Sequence, residues 1–376
     1  MAKRTIRILS IDGGGIRGII PVMVLDGLEK IIQQKTSNPN ARIVDYFDFF
    51  SGTSIGGIIT CALLVPSELT SKNTDENQKI HPTSKYSAEE ILELFEKFGG
   101  EIFKTSWFSK ILKIKDLHLI RDIVKGLKDE EYSAAGLEKV LRKYFGKLTI
   151  DKLLKPCIIP AYDTEQRRTF FFSKQKAEKY STRRNFYVRD VCRATSAAPT
   201  VFESARIQSL DKVSFSLIDG GIFANNPSLC ALAEVRKTKE SPKVENIIMV
   251  SLGTGSVRTP YYHNDIKDKP TLAMIPALVD MMMSGVSETI DYQVRKMFEA
   301  RNVSKKYFRI DAANLTNDEA EMDNASPENI QLLKSIGFQT AKDDVLEKIA
   351  DMLIEIDKSE SESIVADENF RALNFK

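Results

Sequence analysis

The stretch Phe49-Phe50-Ser51-Gly52-Thr53-Ser54-Ile55-Gly56-Gly57-Ile58-Ile59 leaves a chain few ways to fold. An aromatic and apolar run (Tyr46, Phe47, Phe49, Phe50) leads in and reads as a buried strand. Behind it Ile58, Ile59, Ala62, Leu63 and Leu64 recur at helical spacing. At the join stands Gly52-x-Ser54-x-Gly56, the strand–turn–helix context of a serine nucleophile elbow. The turn is sharp enough that side chains two before and two after the serine would clash, hence glycine at both places. It pushes the Ser54 hydroxyl out at the strand's end, where the following helix points its positive end. A plain serine helix cap is the competing reading.

A second strand–loop–helix precedes it. Residues 6–11 are β-rich, Asp12-Gly13-Gly14-Gly15-Ile16-Arg17-Gly18 follows, and apolar residues then recur at helical spacing from Ile19 to Ile32. Gly13-x-Gly15-x-x-Gly18 matches a dinucleotide-binding fingerprint, which predicts a nicotinamide-dependent oxidoreductase. That reading wants an acidic residue closing the second strand, and this one closes in Ser51-Gly52-Thr53-Ser54 instead. The alternative is an oxyanion hole, with backbone N–H groups of Gly13, Gly14, Gly15 and Gly18, helped by Arg17, converging at a helix start.

A serine nucleophile needs a base. The chain has three histidines, His81, His118 and His263. His263 would give the order Ser, Asp, His, but it lies in a polar loop, and too few strands precede Ser54 for an α/β-hydrolase. Asp219 ends an apolar strand and is followed by Gly220-Gly221, which lets the backbone pass close to the site. Partial burial would raise its pKa toward that of a useful proton acceptor. An ordinary Asp-Gly turn is the bland alternative. Together with the two glycine motifs, a Ser54–Asp219 dyad accounts best for the pattern.

Strands alternating with helical patterns along the chain predict a three-layer α/β/α sandwich with a mainly parallel central sheet, its ligands at strand carboxyl ends. Further strands are expected near 158–163, 169–172, 213–218, 247–252 and 306–310, with a long Met-rich helix over 271–300. One domain is expected over 1–310, carrying a polar insertion at 67–85 and a basic-aromatic cover at 101–129. A helical extension at 311–357 and an acidic, loose tail at 358–376 complete the reading. The cover alternates Trp107, Phe108, Ile111 and Leu112 with Lys104, Lys110 and Lys113, a pattern suited to a lipid interface or to packing over the site.

Net charge near +2 gives no argument for nucleic acid. Four scattered cysteines without C-x-x-C spacing predict neither a metal site nor a disulfide framework, and a reducing compartment. Met1-Ala2-Lys3-Arg4 runs straight into a strand with no apolar stretch of a signal peptide. No apolar run approaches ~20 residues. The expected location is cytoplasmic, with at most peripheral contact to membranes.

Asp12-Gly-Gly-Gly-Ile-Arg-Gly18, Gly52-Thr-Ser-Ile-Gly56 and Asp219-Gly-Gly221, in that order, resemble the patatin-like phospholipase family. Ile8-Leu9-Ser10-Ile11, Gly18-Ile19-Ile20-Pro21, Asp45-Tyr46-Phe47-Asp48 and Thr195-Ser196-Ala197-Ala198-Pro199-Thr200 are similar to plant patatins as well. The resemblance covers roughly residues 5–310. It implies an α/β fold, Ser54 as nucleophile, Asp219 as base and the Gly13–Gly15 loop as oxyanion hole. It also implies hydrolysis of phospholipid or other acyl-lipid esters at a transient membrane surface, without a cofactor or metal. A non-catalytic storage or scaffold protein on the same fold is the remaining alternative.

Overall fold

The computed structural model describes residues 4–67, 82–102, 134–199, 202–238, 241–256, 260–263, 267, 271–313, 315–316, 321–341 and 344–374. Most of the polar insertion and nearly all of the basic-aromatic cover, including Trp107, lie outside them, as do His81 and His118.

In chain order the elements are β1 (Ile6–Ile11), α1 (Ile19–Thr36), α2 (Ile43–Tyr46), β2 (Phe49–Gly52), α3 (Ile55–Leu63) and α4 (Ala88–Ile102). Then come α5 (Ala135–Phe145), β3 (Cys157–Asp163), β4 (Arg168–Ser173), α6 (Lys174–Tyr180), α7 (Val188–Thr195), β5 (Ala205–Gln208) and β6 (Ser214–Asp219). The last are α8 (Gly221–Ala224), α9 (Ser228–Arg236), β7 (Ile247–Leu252), α10 (Thr271–Glu299), β8 (Tyr307–Ile310), α11 (Pro327–Thr340) and α12 (Asp344–Asn374).

The strands form one sheet in the order β5-β6-β3-β2-β1-β7-β8, with β4 also paired to β3. The core β3-β2-β1-β7-β8 is parallel, while β4, β5 and β6 join antiparallel. The expected mainly parallel sheet is therefore a parallel core with an antiparallel flank. Because β1 is central, both of its faces are covered, and Ile6, Ile8, Leu9 and Ile11 make four of its six residues apolar. Alternation sends Leu9 and Ile11 into one apolar core and Ile8 into the other. Phe50 and Phe49 of β2, and Val250 and Met249 of β7, divide in the same way. The larger core lies under α1, α3, α4, α5, α7, α11 and α12, the smaller under α9 and α10, which makes three layers.

Local chemistry sets several boundaries. Ser87 and Glu90 cap α4 reciprocally, the Glu90 amide donating to Ser87 Oγ at 3.1 Å and the Ser87 amide to Glu90 Oε2 at 2.8 Å. Ser326 caps α11 ahead of Pro327 in the first turn. Tyr46 and Phe47, expected at the head of the second strand, instead end and follow the short helix α2, and β2 begins only at Phe49. The cause is Asp45, whose carboxylate accepts the Arg42 amide at 2.9 Å and closes a helical turn. The C-terminal helices are not peripheral: Leu333, Leu346, Ile349 and Leu353 are buried in the larger core. Residues 358–374, expected to be loose, continue α12, and Glu360 and Asp357 reach Arg4 and Arg7 beside β1.

Candidate active site

Two strand ends and one loop converge on Ser54. Ser54 follows β2 and holds φ 55° and ψ −125°, a strained backbone for a residue with a side chain. Glycine is required around it. A Cβ on Gly56 would stand 2.4 Å from the Ile11 carbonyl oxygen, and one on Gly52 only 2.1 Å from the Gly56 carbonyl oxygen. The elbow is clamped from behind: the Ser54 amide donates to Thr195 Oγ1 at 3.0 Å, and Thr195 Oγ1 donates to the Pro160 carbonyl at 2.6 Å. The amides of Gly57 and Ile58 donate to the Ser54 carbonyl and start α3.

Asp219 closes β6, opposite Ala161 of β3. It is 5% exposed, and Gly221 donates its amide to Asp219 Oδ1 at 2.7 Å. Burial pushes its carboxyl up to about 7, against the pull of hydrogen bonds from the Ser54 hydroxyl and the Gly221 amide. Ser54 and Asp219 thus line the same cavity, with Gly220 and Gly221 leading the chain on into α8.

The glycine loop lies beside them because β1 and β2 are parallel neighbours in the register Ile11↔Gly52. Its residues separate by role. The Gly13 amide donates to the Asn225 carbonyl at 3.1 Å, so Gly13 is not a free donor, contrary to the expectation from sequence. The amides of Gly14 and Gly15 have no acceptor among the described residues, and both residues line the cavity that holds Ser54. Arg17 does not line that cavity; its buried guanidinium donates to the carbonyls of Gly14 at 3.4 Å and Gly255 at 3.3 Å. It braces the loop rather than facing it. Gly18 is a packing position, where a Cβ would meet Ile55 Cγ1 at 2.7 Å.

Other residues hold the loop that the motifs alone do not reveal. Thr254 Oγ1 donates to the Gly13 carbonyl at 2.7 Å, and Asn225 reaches the same carbonyl with its side-chain amide at 3.5 Å. Asp12 is 2% exposed and bound by Arg309 at 2.7 Å, which also holds Asp311 at 2.9 Å. Burial pushes the Asp12 carboxyl up to about 6 despite Arg309.

Ser54, Asp219, Gly14 and Gly15 form the polar floor of a cavity of about 130 Å³. Its walls are apolar: Ile55 and Ile58 of α3, Leu137 of α5, Pro199 and Phe202 after α7, and Val279, Met282 and Met283 of α10. His263 is exposed and does not line it. Among the described residues no group of three or more His, Cys, Asp or Glu side chains is placed to hold a metal ion. No helix among them is long and apolar enough to cross a membrane. A serine against a carboxyl of raised pKa, with free amides beside it under an apolar vault, is suited to acyl transfer from a hydrophobic ester.

Known proteins similar to this chain are patatin-like along most of its length. The chain is 31% identical to patatin-like protein 2 of Oryza sativa subsp. indica over 360 residues, covering 89% of this chain and 83% of that protein. It is 32% identical to patatin-like protein 3 of Arabidopsis thaliana over 359 residues, covering 88% and 79%. It is equally similar, at 32% over 351 residues (90% and 81%), to probable inactive patatin-like protein 9 of Arabidopsis thaliana. Among solved structures, VipD from Legionella pneumophila superposes with a TM-score of 0.40 at 13% identity, over 92% of this chain and 67% of its own. A sequence model of the patatin-like phospholipase family matches residues 9–232, and with relatives above 30% identity along most of its length the chain belongs to that family.

Proposed function

We propose that the protein is a lipid acyl hydrolase that cleaves fatty acyl esters through a Ser54–Asp219 dyad. What supports this reading is that Ser54 and the buried Asp219, its carboxyl of raised pKa, stand together on the floor of an apolar cavity. Family membership alone does not carry it, since a relative of equal identity is named probable inactive.

The reaction follows from the groups present. Asp219, ionised, takes the hydroxyl proton as Ser54 Oγ attacks the ester carbonyl carbon. The carbonyl oxygen becomes an oxyanion against the Gly14 and Gly15 amides. Each such donor is typically worth roughly 3–4 kcal/mol at the transition state. The tetrahedral intermediate collapses, the alcohol leaves with the proton from Asp219, and the acyl group remains on Ser54. Water then loses a proton to Asp219 and attacks the acyl-enzyme; the second intermediate collapses, Asp219 returns that proton to the departing Ser54 Oγ, and the fatty acid is released. Thr195 and Pro160 hold the nucleophile's backbone still throughout, which keeps the reacting atoms aligned.

A nucleotide-binding role is the weaker reading. The Met322 carbonyl accepts the Ile16 amide at 2.8 Å and sits where a Gly15 Cβ would be, so it occupies the helix start a pyrophosphate would need. Location at a membrane surface remains part of the proposal, through the apolar rim of the cavity. The test is release of fatty acid from phospholipid vesicles by the wild type and by Ser54→Ala. Release by the wild type alone supports the reading, and equal release by both removes it.

A further inference from the structure

A second cavity, of about 320 Å³, adjoins the catalytic one: Met283 and Met322 line both. It opens between the carboxyl ends of β1, β7 and β8 and one face of α10, which presents Asp280, Ser284, Ser287 and Asp291 at spacings of four, three and four. Its character is opposite to that of the catalytic cavity. Five carboxylates line it, against the two guanidinium groups of Arg17 and Arg309.

Most of these charges already have partners. Arg309 is held between Asp12 and Asp311, and Asp291 pairs with Arg295 at 3.1 Å. Asp280 and Glu288 line the cavity without a salt bridge among the described residues; the Asp280 carboxylate accepts only the neutral Tyr261 hydroxyl, on Oδ2 at 3.2 Å. An independent feature marks the other end of the cavity. Arg17 lines it, 5% exposed and with no salt bridge among the described residues, its guanidinium donating to two carbonyl oxygens. A buried cation without a paired anion is costly unless something supplies one. Among the described residues no three of these carboxylates are placed to share a metal ion.

We propose that this cavity receives the ammonium group of an amine-bearing phospholipid headgroup, with Asp280 and Glu288 as its recognition residues. The proposal rests on the lipid-hydrolase reading, because only then is a headgroup tethered to an ester lying in the adjoining cavity. Arg17 adds a positive charge at the glycine-loop end of the cavity, its guanidinium donating to the Gly14 and Gly255 carbonyls. Negative wall and positive end together match a phosphate followed by an ammonium. Charge-assisted hydrogen bonds would bind the ammonium group.

The experiment compares hydrolysis of monomeric short-chain phosphatidylethanolamine and phosphatidylglycerol. The wild type is expected to favour the amine-bearing lipid by about fivefold to tenfold in kcat/KM, carried by KM. Asp280→Asn combined with Glu288→Gln is expected to bring that ratio close to one. For the wild type alone, glycerophosphoethanolamine should inhibit phosphatidylglycerol hydrolysis and glycerophosphoglycerol should not, which keeps the test intact if the double variant fails to fold. Equal use of both lipids by an active wild type, or an unchanged ratio in a folded double variant, overturns the headgroup site and leaves the hydrolase reading standing. Failure to hydrolyse any ester removes both. If free ethanolamine or spermidine alters turnover of a soluble ester while the lipid ratio stays at one, a soluble amine is the ligand and the headgroup assignment fails.

Discussion

Ser54 and Asp219 meet because their strands share one edge of β3 from opposite ends. β2 runs parallel to β3 and pairs Ser51 with Ile158, while β6 runs antiparallel and pairs Asp219 with Ala161. With β4 on the other edge, the carboxyl ends of β2 and β6 must face each other. Residues 165 positions apart are joined by strand polarity, and no neighbouring motif is needed. Ser54→Ala is expected to lower ester hydrolysis by roughly a thousandfold or more, and Asp219→Asn by roughly a hundredfold or more. Circular dichroism should show both variants folded, and a steady-state assay reads the loss.

With Asp219 as the proposed base, its raised pKa predicts the pH dependence of the rate. A base must be ionised to accept a proton, so activity should rise with pH and level off above about 7. A kcat/KM profile on a neutral short-chain ester reads this acid limb. A limb near the ordinary carboxylate value of 3.8 would show that burial does not hold the group.

The same shift makes a prediction about stability, with the sign fixed by linkage. Asp219 has a higher pKa folded than unfolded, so the unfolded chain binds fewer protons between these values. Stability contributed by this group falls as pH rises from about 4 to about 7, and the full penalty applies above that range. Asp219→Asn removes the penalty. It should be more stable than the wild type at pH 8, by an amount that shrinks toward pH 4, as measured by urea unfolding.

Thr195 acts through Ser54 rather than on substrate. Thr195→Val leaves the buried Ser54 amide without its acceptor, a loss of about 1–3 kcal/mol in stability. The elbow should also loosen, lowering kcat with little change in KM. Thr195→Ser restores the hydroxyl and should recover kcat, which a purely packing role for the methyl group would not allow.

Asp48 holds Arg4 and Arg7, the two arginines that also reach the carboxylates of α12. Its carboxylate accepts from the Arg7 amide at 2.8 Å and from Arg7 Nε at 2.9 Å, and Arg4 joins at 2.8 Å. Burial opposes its ionisation, but Arg7 outweighs it and holds the carboxyl below its ordinary value. Asp48→Ala would strand the 97%-buried Arg7 side chain near only the outer carboxylates of α12, at a cost of about 3–5 kcal/mol. Denaturant midpoints measure this.

The elbow, the glycine loop and Asp219 were legible in the sequence because each is a local pattern: strand, tight turn, helix. The layers were legible because β1, β2 and β7 are apolar on both faces. Thr195, Asn225, Thr254 and Arg309 were not, because they act across 141 to 297 residues and their own neighbourhoods carry no unusual signal. Thr195 did stand in a stretch similar to plant patatins, the one hint available. Assigning Gly13 to the oxyanion hole failed for the same reason: only the fold reveals that Asn225 takes its amide. The antiparallel approach of β6, on which the dyad depends, is likewise a property of the sheet rather than of residues 214–219.

The central claim is that Ser54 is a nucleophile activated by Asp219. Reaction with a fluorophosphonate, followed by peptide mass mapping, tests it most directly. The account predicts one phosphonylated residue, Ser54, in the wild type, none in Ser54→Ala, and labelling of Asp219→Asn slowed by roughly a hundredfold. An unlabelled wild type, or Asp219→Asn labelled at the wild-type rate, would contradict it.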